Sequence, residues 1–147
     1  MSITLPSDYG YVLLATTSTF FVNIVHGFLT SRTRKAAGIK YPTSYASSEL
    51  AEKDPRAYAF NCAQRAHNNF TENLTPFLGA LLVAGLKYPV FAASLGGAWS
   101  FARVLFAIGY TSNGPQGRIV GSALGSLINV TLIGTSVYTA LGFALNW

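Results

Sequence analysis

Arg65-Ala66-His67-Asn68-Asn69-Phe70-Thr71-Glu72-Asn73, followed without a break by Leu74-Thr75-Pro76-Phe77-Leu78-Gly79-Ala80-Leu81-Leu82-Val83-Ala84-Gly85-Leu86, decides how this chain is read. The apolar half alone is too short to cross a hydrocarbon core of about 30 Å at about 1.5 Å per helical residue. A spanning helix must extend back into the polar half, over residues 61–86, and carry Arg65, Asn69, Glu72 and Asn73 partly into the membrane. Ionisable side chains are costly at that depth and by default mark a site. Pro76 predicts a local kink of the kind a membrane helix tolerates.

Half of the 147 residues are apolar and 10% are charged, against about 25% charged in an average soluble domain. Residues 9–30, 89–110 and 119–145 are further apolar runs of spanning length, interrupted by Asn23, His26 and Arg103. With residues 61–86 they predict an all-α fold, an integral membrane four-helix bundle formed by residues 1–147 as one transmembrane domain. The N-terminus has no basic region or clear cleavage site of a signal peptide.

Lys and Arg outnumber Asp and Glu by ten to five, but Arg32, Arg34, Lys35, Lys40, Lys53 and Arg56 all fall between the first two apolar runs. A basic connector of this kind marks the cytosolic side, which places the first and third connectors in the cytosol and both termini on the far side. Nucleic-acid binding is not expected, because no basic groove with interleaved aromatics is present. The single cysteine, Cys62, excludes an intramolecular disulfide and reads as a small packing residue.

On a helix, Arg65, Asn69, Glu72 and Asn73 fall at i, i+4, i+7 and i+8 and share one face. That face offers a guanidinium, amides and a carboxylate, complementary to a ligand carrying carboxylates and an ammonium group. An Arg65–Glu72 pair that merely neutralises two embedded charges is the structural alternative. Trp99, Arg103, Phe106 and Tyr110 form a second stripe, in which Arg103 needs an acidic partner, and Glu72 is the acid expected at its depth. Tyr110 reads either as a hydroxyl donor to a ligand or as an interface anchor. His67, two residues from Arg65, is turned about 200° away from it. His26 is expected to bond a carbonyl or line a cavity. Neither histidine has a cysteine or acid at metal-ligand spacing, so no metal site is expected.

Gly117, Gly121 and Gly125 form a row of small residues suited to close helix approach, within the chain or between subunits. Three Asn-x-Ser/Thr sequons, at Asn69, Asn73 and Asn129, lie inside spans and are not expected to be glycosylated. Nucleophile elbows, phosphate loops and dinucleotide fingerprints are absent from the sequence.

Phe60-Asn61-Cys62-Ala63-Gln64-Arg65-Ala66-His67-Asn68-Asn69-Phe70-Thr71-Glu72, Phe101-Ala102-Arg103-Val104-Leu105-Phe106-Ala107-Ile108-Gly109-Tyr110, Arg34-Lys35 and Tyr41-Pro42 together resemble the membrane-associated proteins in eicosanoid and glutathione metabolism, the MAPEG family. The resemblance covers nearly the whole chain. It implies a homotrimer of the endoplasmic reticulum membrane, or of the outer mitochondrial membrane, with glutathione as co-substrate between subunits near the cytosolic face. The implied activity is glutathione transferase or peroxidase chemistry on a lipophilic substrate arriving from the bilayer. Arg65 would hold a glutathione carboxylate, Glu72 the γ-glutamyl ammonium, and Asn69 and Tyr110 would add hydrogen bonds. Arg34 and His67 would reach in from the neighbouring protomer, and Arg118 would stabilise the thiolate. The chain departs from the family pattern at Phe106 and Asn73, where tyrosines are usual. The loss of the first hydroxyl gives weight to a second reading, a non-catalytic lipid-presenting scaffold on the same fold. A small transporter using Glu72 and Arg103 lacks the broken-helix pairs it would need.

Overall fold

The computed structural model describes residues 4–146 and is all-helical. Its elements are α1 (Tyr9–Ala37), α2 (Ser48–Lys53), α3 (Pro55–Gly85), α4 (Pro89–Gly117) and α5 (Ile119–Leu145). Local chemistry sets the ends. Gly38, at φ 67°, closes α1 with its N–H on the carbonyls of Arg34 and Lys35, the left-handed cap that glycine adopts without strain. Pro55 and Pro89 stand at the starts of α3 and α4, where a missing N–H leaves no hydrogen bond unmade. The Asp54 side chain accepts from the Arg56 N–H at 2.8 Å and caps α3. The guanidinium of Arg56 beside Asp54, together with that N–H, holds the Asp54 carboxyl below its ordinary range.

The α3 helix is the hub, packing on α1, α4 and α5, while α4 also packs on α1 and α5. The Tyr9 hydroxyl donates to the Leu82 carbonyl at 3.0 Å, and Thr30 lies against the Ala63 carbonyl, so α1 and α3 run antiparallel. At the centre, Phe77 stacks on Trp99 with ring centroids 3.7 Å apart, and Phe70 lies 6.0 Å from the same indole. Val12, Leu81, Ala84 and Ala92 complete this core, each fully buried.

Large apolar side chains point outward. Phe21 and Val130 are each 70% exposed, and Phe20, Ile24, Phe28 and Leu127 are nearly as open. An outer surface of this kind is unfavourable in water and suits lipid. Among the described residues, three helices, α1, α4 and α5, are long and apolar enough to cross a membrane. The α3 helix falls outside that set, because its N-terminal half carries the polar residues quoted above.

Several helices extend beyond the apolar runs. The first continues to Ala37, α3 begins at Pro55, and the connector between them holds α2, which hydropathy alone does not signal. Two clasps hold that connector to α3. Asn61 makes paired hydrogen bonds to the Ala46 backbone at 2.8 and 3.0 Å, and Asn68 donates to the Tyr45 hydroxyl at 2.8 Å.

The small-residue row resolves into contacts within the chain. A Cβ placed on Gly121 would lie 2.5 Å from the Phe106 amide nitrogen and 2.7 Å from the Ala102 carbonyl oxygen. Gly125 faces Trp99 and Arg103, and Gly117, at the end of α4, packs against the backbone of Gly109. Close approach of α5 to α4 therefore depends on the missing side chain at Gly121.

Candidate functional site

At the end of the molecule that carries the basic connector, α2, α3 and the end of α4 enclose an open cavity of about 670 Å³. Arg65 and Tyr110 line it together with Tyr45, Tyr58, Asn61 and Cys62. Cys62 also packs with Ala66, Phe106 and Tyr110, so it serves as a packing residue and part of the cavity wall at once. Helical spacing could have found part of this wall, since Tyr58, Cys62 and Arg65 recur at intervals of four and three residues.

Arg65 and Glu72 form an ion pair, Nη1 to Oε1, at 2.9 Å, with side chains 48% and 53% exposed. A pair this open contributes about 0–1 kcal/mol in water. A ligand bringing its own carboxylate and ammonium group can therefore exchange partners with it at little cost.

The expected Arg103–Glu72 pair does not form. Arg103 donates from Nη2 to Oδ1 of Asn69 at 2.8 Å, and its guanidinium lies over the Phe106 ring at 4.4 Å. Glu72 is taken by Arg65 from two turns away on the same helix, and the buried guanidinium is met by an amide oxygen and an aromatic face instead. His26 stacks on Phe70 at 4.8 Å, beside the His67 ring at 5.8 Å.

Phe106 is buried and meets Tyr110 edge-on at 5.7 Å, forming an apolar spacer between Arg103 and Tyr110. Asn73 donates to the Asn69 backbone carbonyl at 2.8 Å. Arg118 sits at the junction of α4 and α5 with its guanidinium 4.9 Å from the Tyr110 ring centre. Two of the expected residues stand apart from this group. Arg34 is buried between the Tyr41 and Phe60 rings, at 4.4 and 4.5 Å, and donates to the Thr43 carbonyl at 2.6 Å. His67 points toward α1, where Nε2 lies 3.3 Å from Oδ1 of Asn23.

A break in α4 places Arg118. Gly114 adopts φ 62° and ψ −152°, and a Cβ there would come within 2.9 Å of the Tyr58 hydroxyl. That backbone region is essentially restricted to glycine, and a side chain in it costs about 1–3 kcal/mol. Gly114→Ala is therefore expected to lower the melting temperature in detergent and to loosen the Arg118–Tyr110 contact. An unchanged melting curve would show that the break is not required.

The MAPEG family model matches residues 12–138, nearly the full length of the chain. An uncharacterized protein of Synechocystis sp. is 40% identical over 75 residues, a match that covers 50% of this chain and 54% of that protein. The chain thus spans about half the length of that curated relative. Outward apolar helices, a polar face on α3 and the family match agree with one another: the chain belongs to the MAPEG family of membrane proteins.

Proposed function

We propose that this protein is an integral membrane, glutathione-dependent transferase and peroxidase acting on lipophilic electrophiles or lipid hydroperoxides. Within the family it is read as closest to the microsomal glutathione transferases of type 3, with some likeness to leukotriene C4 synthase. The observation that carries the reading is the cavity in which Arg65 and Tyr110 converge, with Glu72 paired to Arg65 and Arg118 lying on Tyr110.

In this reading α3 also crosses the membrane, as the second of four spans, over residues 61–86. Its exposed polar strip is then covered by other copies of the chain in a homotrimer, because lipid cannot solvate Arg65 and Glu72. Glutathione lies between subunits at the cytosolic face, and the termini face the lumen of the endoplasmic reticulum or the far side of the outer mitochondrial membrane. Arg65 receives a carboxylate, Glu72 the γ-glutamyl ammonium, and Asn69 and Tyr110 supply hydrogen bonds. Arg34 and His67 serve this site only from a neighbouring protomer, through a rearrangement of the contacts that hold them within their own chain.

Arg118 supplies the chemistry. A guanidinium near the sulfur lowers the thiol pKa from about 8.5, and each unit corresponds to about 1.4 kcal/mol. With an electrophile, the thiolate sulfur forms a bond to carbon as the leaving group departs with its electron pair. With a hydroperoxide, sulfur attacks the outer oxygen and the O–O bond breaks to release the alcohol after protonation. A second glutathione then displaces water from the sulfenic acid to give the disulfide.

The purified protein in detergent should conjugate an aryl halide, or reduce a lipid hydroperoxide, only when glutathione is present. Absence of both activities would favour the second reading, a lipid-presenting scaffold. Two observations lend that reading weight: Phe106 offers no hydroxyl, and Arg65 and Glu72 already satisfy one another.

A further inference from the structure

Asn69 shares one face of α3 with Arg65 and Glu72 and is partly exposed, while Arg103, which it contacts, is 4% exposed. The 2.8 Å contact joins Nη2 of Arg103 to Oδ1 of Asn69. A guanidinium has donors and no acceptor, so this contact fixes which way the amide points. The oxygen faces inward and the Nδ2 hydrogens face away from Arg103. Turning the amide over would set donor against donor. Arg103 is already short of partners, since its Nε is buried without one. Its guanidinium is held in place by the Phe106 ring at 4.4 Å and lies 5.6 Å from the Trp99 ring. Asn73 reinforces the turn by donating to the Asn69 carbonyl.

We infer that Arg103 is a positioning residue that locks Asn69 as a hydrogen-bond donor toward the bound ligand. The wall of α3 then presents two neighbouring donors, Arg65 and Asn69, to a carboxylate or carbonyl oxygen of the ligand. The carboxylate of Glu72 is left for its ammonium group. This polarity selects a zwitterionic, amino-acid-like end over a ligand carrying a cation at the Asn69 position. It also gives the buried Arg103 a role in recognition without contact to the ligand. The inference rests on the glutathione reading of the site.

The test is glutathione calorimetry on the full-length protein in detergent, with melting curves run alongside. Asn69→Asp keeps an acceptor for Arg103 but replaces the outward donor with an acceptor. It should leave the melting temperature at or above the wild-type value while weakening glutathione binding by about tenfold or more, the expected scale for a lost and reversed hydrogen bond to a charged group. Arg103→Met should weaken binding several-fold in the wild-type background and have no further effect in Asn69→Ala, which has no amide to orient. Wild-type affinity in Asn69→Asp, or an equal loss from Arg103→Met in both backgrounds, would overturn the inference and leave the glutathione reading standing. If Arg103→Met does not fold, the Asn69→Asp result decides alone. A wild-type protein that binds no glutathione would overturn both together.

Discussion

Arg118→Ala is expected to slow glutathione conjugation or hydroperoxide reduction by about a hundredfold, the scale seen when one preorganised charge-stabilising donor is removed from an active site. Affinity for glutathione should change far less, because the residues proposed to grip the tripeptide lie on α3 and at Tyr110. Arg118 stands at the turn between α4 and α5, carried there by the break at Gly114, and lies on the Tyr110 ring. In the proposed mechanism this guanidinium acts on the sulfur as it ionises. Without it, the bound thiol should titrate near its ordinary value of about 8.5. Steady-state kinetics, calorimetry and a pH titration of the thiolate absorbance separate these effects. Turnover equal to wild type would remove Arg118 from the mechanism, and Arg118→Lys should retain part of the activity because it keeps the charge but not the planar fork.

Gly121→Val is expected to destabilise the protein by about 3 kcal/mol or more, at the upper end for overpacked sites. The atoms in the way are the backbone of Phe106 and Ala102, which cannot rotate aside as a side chain can. Relief requires α5 to move off α4, which displaces the segment holding Phe106, Tyr110 and Arg118. The variant should melt about 10 °C lower and lose activity together with stability. Gly134 provides the control on the same helix, since a Cβ there meets nothing within 4 Å. Gly134→Ala should be neutral or slightly stabilising, because alanine favours the helix over glycine. Equal melting temperatures for Gly121→Val and wild type would contradict the close α4–α5 packing.

The face shared by Arg65, Asn69 and Glu72 was legible because it follows from helical period alone, and the structure brings Arg65 and Glu72 together on it. The partner of Arg103 was not legible. Charge matching pointed to Glu72, yet a long arginine on the same helix reached that carboxylate first, and an amide oxygen was sufficient for Arg103. The aromatic clamp on Arg34 joins residues far apart in sequence, Tyr41 from the connector and Phe60 from α3, and no local spacing encodes it. The small residues at 117, 121 and 125 were visible as a row, but only three-dimensional packing shows that they serve contacts within the chain. Two further residues of the cavity wall, Cys62 and Tyr58, lie one and two turns before Arg65, where apolar and aromatic side chains read as packing.

Isothermal titration of glutathione into the detergent-solubilised protein addresses the proposed function most directly, because transferase and peroxidase chemistry both begin with that complex. Saturable binding is predicted, lost when Arg65 or Glu72 is replaced by alanine and largely retained in Arg118→Ala. No binding by the wild type, or binding indifferent to both α3 substitutions, would contradict the account.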